Sequence, residues 1–202
     1  MAMMVTAGIA GATTPVLSGT APEATTAGGP VTGVTLKVRR NVMAHHGVTL
    51  RGHIAPSGKR TVVVEVGGRK LRTKTNDAGA YRLRWHASGA GVYRARAKVA
   101  GESVRSHPRR INVYRSAEAS YYGPGLYGNG VACGGTLNPG TLGVANKTLP
   151  CGSKVTLRYH GKTVTVPVID RGPYSGNREY DLTAATKAKL GFPSTGRVLS
   201  TR

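Results

Sequence analysis

Between Val31 and Arg115 the chain consists of short segments in which apolar and polar residues alternate. Such a segment has one apolar face as a β-strand but no continuous apolar face as a helix. Glycine, proline, asparagine or serine bounds each segment, which is typical of turns. The pattern predicts strands at VTLKVRR, VTLRGHI, TVVVEV, KLRTKT, YRLRWH, VYRARAKV and RRINVYR. We therefore expect residues 31–115 to be all-β.

The connections between these segments predict hairpins. Gly67 and Gly68 separate one pair of strands, and the NDAG sequence at 76–79 separates the next pair. Strands at this spacing predict a β-sandwich of immunoglobulin-like type, on pattern alone because residues 31–115 hold no cysteine. In YRLRWH the aromatic and leucine side chains should face the core, and the two arginines should face solvent.

The positive charge of the chain is large and uneven. The formal net charge is +21, and residues 31–115 hold 19 Lys and Arg against three acids. Residues 116–202 hold ten against four. Such a surface attracts polyanions, whether nucleic acid, anionic lipid or an anionic cell-wall polymer. Because no nucleic-acid-binding motif is present, we expect the sandwich to bind an anionic wall polymer, with a merely solvated face as the alternative.

Residues 1–30 are predicted to be a leader and a disordered linker. They are rich in Ala, Gly, Thr and Pro, with small residues suited to cleavage but without the basic start of a signal peptide. A start placed too far downstream would explain this, and so would a disordered tail. No stretch is apolar enough to cross a membrane, and no cysteine near the N-terminus offers a site for lipid attachment.

The two cysteines, Cys133 and Cys151, both lie in the C-terminal half. They form either a disulfide in an exported protein or two buried free thiols. A zinc site would need further Cys or His ligands nearby. The neighbouring His45 and His46 would point to opposite faces of a strand, with no carboxylate close in sequence. We therefore expect neither a metal ion nor another cofactor.

Near Ala119 the composition shifts to Gly, Pro, Asn and Tyr. Two predicted strands follow, KVTLRYH and TVTVPVID, and the loop RGPYSGN comes after them. The segment DLTAATKAKLGF predicts a short helix, which Asp181 or Thr183 can cap and Gly191 can end.

The segment TVTVPVID places a carboxylate at the end of a strand. Its valines alternate with more polar residues, so that Asp170 should return to the valine side. Burial there would favour the protonated carboxyl that a general acid needs. Asp170, Glu179 and Asp181 are three of the four acids of residues 116–202. The alternative makes Asp170 a turn residue paired with Arg171 and Asp181 a helix cap.

Residues 119–199 resemble the rare lipoprotein A family. The motifs NKTLPCGSKV, VIDRGPY and DLTAA occur here in the family's order and spacing. The resemblance implies a six-stranded double-psi β-barrel over residues 116–202, the fold shared with expansins and barwin-like proteins. It also implies secretion, since members are secreted and some are lytic transglycosylases that cleave the glycan strands of peptidoglycan. Cys133 and Cys151 suit the disulfide-containing branch of the family.

The chain departs from the family's motif at three polar positions. It has Gly135 where the family commonly has Glu, Asn138 where it has Asp, and Asn146 where it has His. Asp170 is the matching acid that this chain keeps. Asp181 corresponds to the aspartate that expansins and family-45 endoglucanases place in the polysaccharide groove. These departures bear on catalysis and not on the fold.

The resemblance implies a mechanism with a single acid. Ordinary glycosidases need two carboxyl groups. In a lytic transglycosylase the N-acetyl group of the substrate can stabilise the oxocarbenium-like centre and the 6-hydroxyl can replace water, which leaves a 1,6-anhydro sugar. We expect Asp170 to act as acid and then base, with Asp181 as the alternative or as an electrostatic partner. The candidate glycan-binding residues are Tyr122, Tyr127, Asn138, Asn146, Arg171 and Tyr174.

A second hypothesis needs no catalysis. An expansin-like module would bind the polysaccharide and loosen the wall without cutting it. The tyrosines would then line a binding groove, or they would complete the barrel core. Both hypotheses place the protein outside the cytoplasm at the cell wall, with peptidoglycan strands as its partner.

Overall fold

The computed structural model of the chain describes residues 29–202. The predicted leader and linker, residues 1–30, lies almost entirely outside this range. The described residues form fourteen strands and one short helix, which confirms the all-β prediction. None of their helices has the length and apolarity needed to cross a membrane.

The first half of the described chain is a two-sheet sandwich. Its strands are β1 (Gly33–Val34), β2 (Lys37–Val38), β3 (Asn41–Met43), β4 (Gly47–Ala55), β5 (Thr61–Val66), β6 (Arg69–Lys74), β7 (Ala80–His86), β8 (Gly91–Val99) and β9 (Arg109–Tyr122). In one sheet β4 pairs with β1 and β2 on one side and with β7 on the other. The second sheet has the order β6-β5-β8-β9, with β3 parallel to β9. Assignment of this sandwich to the immunoglobulin-like class stays a prediction.

The sandwich core follows the predicted alternation. Tyr81 and Trp85 on β7 are buried and Leu83 is partly buried, whereas Arg82 and Arg84 between them are exposed. Both sheets contribute to one apolar cluster. The period-two pattern of the sequence was therefore sufficient to identify the inner face.

One predicted hairpin is present and one is wrong. Gly67 and Gly68 join β5 to β6, which pair antiparallel. The chain at 76–79 instead crosses between the sheets, because β7 pairs with β4 and not with β6. This pairing places Trp85 opposite Val48 in the core. A short turn signal alone does not distinguish a hairpin from a crossing between sheets.

Strand β9 belongs to both halves of the chain. Its N-terminal part pairs with β8, and its C-terminal part pairs with two strands of the second half, Tyr180–Thr183 and Gly196–Ser200. The Nη2 of Arg110 on β9 also donates to Oγ1 of Thr156, at 3.2 Å. The predicted boundary at 115–116 therefore lies inside a continuous strand.

The second half is a closed six-stranded barrel, as the resemblance implied. Its strand order is β13-β10-β12-β11-β14-β9, and β9 closes the ring by pairing with β13. Valine and leucine side chains from most of these strands fill the interior. Its remaining elements are β10 (Val144–Ala145), β11 (Lys154–Tyr159), β12 (Lys162–Asp170), β13 (Tyr180–Thr183), α1 (Ala184–Leu190) and β14 (Gly196–Ser200).

The helix is capped by Thr183, one of the two predicted candidates. The Oγ1 of Thr183 accepts the N–H of Thr186, and Gly191 ends the helix with a φ of 69°. Asp181 lies on β13, two residues before the cap. Its carboxylate is therefore not used as a helix cap.

Candidate active site

Two carboxylates lie on one face of the barrel wall. Ala145 on β10 stands opposite Asp170 on β12 and also opposite Asp181 on β13. Asp181 in turn stands opposite Ser120 on β9. Directly opposite residues in a sheet present their side chains on the same face, and neighbouring strands lie about 4.8 Å apart. The small side chain of Ala145 therefore separates two acids whose backbones are roughly 10 Å apart.

A β-bulge sets the position of Asp170. Val144 stands opposite Val168, whereas the next residue, Ala145, stands opposite Asp170. Ile169 is thus the extra residue on β12. The regular alternation that the sequence predicts ends at Val168 for this reason, and the prediction that Asp170 returns to the valine side is wrong, because Asp170 shares the face of Ala145. The bulge brings Asp170 into register with Ala145 and Asp181.

Main-chain groups hold one oxygen of Asp170. Its Oδ1 accepts the N–H groups of Ala132, at 2.9 Å, and Arg171, at 2.8 Å. Because these donors are fixed, this oxygen is an acceptor, and a proton or a ligand must use the other oxygen. The carboxyl group of Asp170 is therefore oriented before any substrate arrives.

The guanidinium of Arg171 turns away from Asp170. Its Nη1 donates to the carbonyl oxygens of Leu149, at 2.9 Å, and Asn146, at 3.2 Å. Arg171 therefore holds the chain that follows β10 and forms no ion pair with the neighbouring Asp170. Arg171 is also a predicted glycan ligand. Some of its N–H donors are already used in these bonds within the protein.

Asp181 is half-buried and holds its proton more tightly than an ordinary aspartate. Burial is the largest cause that raises the pKa of Asp181, and the negative charge of Asp170 raises it further. A hydrogen bond from Oγ of Ser120, at 2.8 Å, and the positive charge of Arg178 oppose these effects. The net direction is upward, as a general acid requires.

Tyr122 brings a hydroxyl group to the same place. Burial, followed by the charges of Asp170 and Asp181, raises the pKa of Tyr122. The hydroxyl has no hydrogen-bond partner of normal geometry among the described residues, and at most a weak interaction with Asp170. A buried hydroxyl without a protein partner is rare, and a catalytic role is one explanation for it. Tyr122 therefore brings a protonated hydroxyl within electrostatic reach of both carboxylates.

A disulfide fixes the loop that carries the donor to Asp170. The Sγ atoms of Cys133 and Cys151 are bonded, with their Cα atoms 5.5 Å apart, which confirms the predicted disulfide. The N–H of Cys133 donates to the carbonyl of Ile169, at 3.0 Å. The N–H of Ala132 is thereby held beside the end of β12.

Residues 116–199 match a family model described as "Lytic transglycolase". This matched segment contains both aspartates, Tyr122 and the disulfide. Residues 116–199 are therefore similar to this family. The similarity covers the barrel and does not extend to the sandwich.

Curated proteins similar to the barrel are named as peptidoglycan transglycosylases. The probable endolytic peptidoglycan transglycosylase RlpA of Synechocystis sp. is 42% identical over 80 residues, which are 39% of this chain and 25% of that protein. The endolytic peptidoglycan transglycosylase RlpA of Neisseria meningitidis is 36% identical over 100 residues, 48% of this chain and 42% of that protein. The chain thus spans about a quarter to two fifths of the length of these relatives.

A solved structure similar to the chain is the Streptomyces papain inhibitor. It is 26% identical and has a TM-score of 0.35, with coverage of 43% of this chain and 90% of that chain.

Two of the three predicted aromatic ligands lie at the surface of the barrel. Tyr174 is 80% exposed and Tyr127 is 39% exposed. Leu126 and Leu142, which the sequence did not single out, are also exposed. Apolar and aromatic side chains on the loops around a polar site are suited to the faces of sugar rings.

The two predicted asparagine ligands differ in exposure. Asn138 is exposed, and its amide donates to the carbonyl of Thr136, at 3.3 Å. Asn146 is buried, and its Oδ1 accepts the N–H groups of Thr148 and Leu149 while its Nδ2 donates to the carbonyl of Glu179. Asn146 therefore fixes two loops, and most of its hydrogen-bonding capacity is used within the protein.

Sequence reasoning missed Ser120 and the N–H of Ala132. Ser120 belongs to a run of small residues, and nothing in its neighbourhood distinguishes it from a surface serine. The donor of Ala132 belongs to the main chain and has no sequence signature. Only the register of β9 against β13 and the disulfide loop bring these groups to the carboxylates.

Replacement of Asp181 by Asn is expected to stabilise the fold at neutral pH. Below the unfolded value of 3.8 both states carry the proton, and the substitution should have little effect. As pH rises, the unfolded chain loses the proton first, so the free energy of unfolding falls until the folded pKa is passed. The asparagine side chain cannot ionise but can still accept from Ser120. The expected gain at pH 7 is below about 1 kcal/mol because solvent screens a half-buried group.

The measurement is urea unfolding at pH 3 and pH 7. The matched control is Asp77→Asn, because the Asp77 side chain is 85% exposed in the sandwich. Equal or lower stability of the Asp181 variant at pH 7, relative to the wild type, would contradict the raised pKa.

Proposed function

We propose that the barrel of this chain cleaves the glycan strands of peptidoglycan as a lytic transglycosylase. The observation that carries the proposal is the pair of aspartates in register on either side of Ala145, of which Asp181 has a raised pKa. The names of the curated relatives, endolytic peptidoglycan transglycosylases, support the same reaction.

Asp181 is the proton donor in this proposal. Protonated Asp181 gives its proton to the bridging oxygen as the glycosidic C–O bond breaks, so the leaving strand departs as an alcohol. The 6-hydroxyl of the remaining terminal sugar then attacks its own C1, and its proton passes to the Asp181 carboxylate. The product is a 1,6-anhydro sugar, no water is consumed, and the acid is regenerated.

Asp170 acts electrostatically on the same reaction. Its carboxylate, oriented by the N–H groups of Ala132 and Arg171, stabilises the positive charge that develops at the sugar ring. Its charge also raises the pKa of Asp181. The sequence led us to expect Asp170 as the acid with Asp181 as its partner, and the proposal exchanges these two functions.

Tyr122 is a positioning donor in this proposal. Its buried hydroxyl lies within electrostatic reach of both carboxylates and can donate a hydrogen bond to a substrate oxygen. Tyr127 and Tyr174 are proposed to contact sugar faces. Gly135, Asn138 and Asn146 supply no acid, and the proposed mechanism needs none from them.

The substrate fixes the proposed location and partner. Peptidoglycan lies outside the cytoplasm, so we propose a secreted protein associated with the cell wall. The excess of Lys and Arg in residues 31–115 supports contact between the sandwich and anionic wall polymers. Nucleic acid and metal ions have no part in this proposal.

The test is analysis of soluble products by mass after the full chain is incubated with purified peptidoglycan. A lytic transglycosylase releases fragments that end in an anhydro sugar, each one water lighter than the product of hydrolysis. Fragments without the anhydro end would indicate a hydrolase. Sedimentation of the protein with peptidoglycan, without any fragments, would overturn catalysis in favour of the expansin-like binding module.

A further inference from the structure

A cationic cleft lies where the sandwich meets the barrel. Its volume is about 890 Å³, and Arg158 and Leu199 of the barrel form one wall. The cleft shares no residue with the two-aspartate site, and none of the described residues that line it is acidic. Five lining residues carry a cationic side chain: Lys37, Arg39, Arg51, Arg82 and Arg158.

Three of these cations stand in one row across the sheet. Lys37 on β2 is directly opposite Arg51 on β4, and Arg51 is directly opposite Arg82 on β7. We call these three residues the cationic row. Like charges directly opposite one another destabilise a sheet. The fold itself therefore gains nothing from this arrangement.

The cationic row has no counter-charge in the part of the chain that the structure describes. Its three side chains are exposed. Within residues 29–202, the four ion pairs involve other basic residues, namely Lys59, Arg60, Arg115 and Arg197. The charges of the row are therefore available to an anion from outside.

One row of the opposite sheet of the sandwich is built differently. There, Glu65 on β5 stands directly between Lys70 on β6 and Arg96 on β8. We call these three residues the compensated row. Opposite charges facing one another in this way stabilise a sheet. The cationic row differs from the compensated row because it has no acid between its cations.

The barrel contributes a prepositioned arginine. The Nη1 of Arg158 on β11 donates to the carbonyl of Gly161, at 3.1 Å, and to Oγ1 of Thr163, at 3.2 Å. These bonds hold the half-buried guanidinium at the wall of the cleft. The cleft is therefore complete only when sandwich and barrel are joined, as they are through β9.

The cationic surface is longer than a single small anion. A neighbouring depression of about 450 Å³ shares Lys37, Arg51 and Arg82 with the cleft and adds Lys74. The lining of both depressions includes a tyrosine, Tyr114 in the cleft and Tyr81 in its neighbour, but both are buried. These tyrosines offer no exposed ring on which a nucleic-acid base could stack, and the exposed rings of the two depressions are the imidazoles of His46 and His53.

We propose that this cleft binds a linear polyanion without aromatic bases, in which phosphate or carboxylate groups repeat along a sugar or polyol chain. Four of its five cations are arginine, whose guanidinium can bind either oxyanion through two hydrogen bonds. Such binding does not depend on the proposed glycan cleavage. It would hold the chain on an anionic matrix through a site separate from the two aspartates.

The test compares two double variants of the full chain that lose the same charge. Arg51→Gln with Arg82→Gln removes two members of the cationic row, and Lys70→Gln with Arg96→Gln removes two members of the compensated row. Binding is titrated against glycerol-phosphate teichoic acid, polygalacturonate and a single-stranded DNA of equal charge, each at several salt concentrations. Thermal unfolding verifies that both variants fold.

The cationic-row variant is expected to bind the teichoic acid or the polygalacturonate about tenfold more weakly than the compensated-row variant. The slope of its binding constant against salt concentration, on logarithmic axes, should also correspond to about two fewer released counterions. The polymer that responds identifies phosphate or carboxylate as the group bound. Arg158→Gln should weaken binding in the same direction.

Three results would overturn the proposal. Equal losses in the two double variants would show diffuse attraction by net charge. DNA that binds as tightly as the other polymers, with the same sensitivity to the cationic row, would show a nucleic-acid site. Absence of binding to all three polymers at low salt would show that the cleft takes no polyanion.

Discussion

Asp181→Asn is expected to lower the rate of anhydro-fragment release by about 10²- to 10⁴-fold, the usual contribution of a general acid. The substitution keeps the hydrogen bond from Ser120 but removes the proton that the leaving oxygen needs. Binding of peptidoglycan should change little. The measurement is the initial rate of product release, with sedimentation of the protein on peptidoglycan as the measure of binding.

Asp170→Asn is expected to shift the pH dependence of activity, which distinguishes the functions of the two carboxylates. The charge of Asp170 raises the pKa of Asp181, so its loss should lower that pKa. Because the reaction needs protonated Asp181, the loss of activity with rising pH should begin at a lower pH in this variant. Asp77→Asn, in the exposed part of the sandwich, should leave both rate and pH profile unchanged. An Asp181 variant with the activity of the wild type would contradict the assignment of the acid.

Loss of the disulfide is the second large effect that we expect. Cys133 and Cys151 are 18 residues apart, and the closure of a loop of this length stabilises a fold by about 3 kcal/mol. The double variant Cys133→Ala with Cys151→Ala should lose about this free energy of unfolding in urea. It should also lose activity, because Ala132, which donates to Asp170, is next to Cys133.

A reductant supplies the control for this experiment. It should lower the stability of the wild type to that of the double variant and should leave the double variant unchanged. Equal stability of the wild type and the double variant under oxidising conditions would show that the disulfide does not constrain the barrel.

The sequence predicted what depends on local pattern. The alternation of apolar and polar residues identified the strands and the inner face that includes Tyr81 and Trp85. The first predicted strand is divided into β1 and β2, and the connection at 76–79 crosses between the sheets. Both differences depend on which strands pair over long range, and alternation within a strand carries no information on that.

The candidate site was predicted in part. Both aspartates were identified, yet their relation was not, because it depends on the bulge at Ile169 and on the short strand that ends at Ala145. The side-chain amide of Asn146 donates a hydrogen bond to the carbonyl of Glu179, which is distant in sequence. Sequence pattern therefore could not show that this amide is already used within the protein. The cationic row is hidden for the same reason, since its members come from three separate strands.

The central claim is that burial and the charge of Asp170 together raise the pKa of Asp181. The most direct measurement is the titration of the aspartate carboxyl carbons by NMR in the wild type and in Asp170→Asn. We predict that Asp181 titrates above 3.8 in the wild type and at a lower pH in the variant. Titration of Asp181 at or below 3.8 in the wild type, with no change in the variant, would contradict the account.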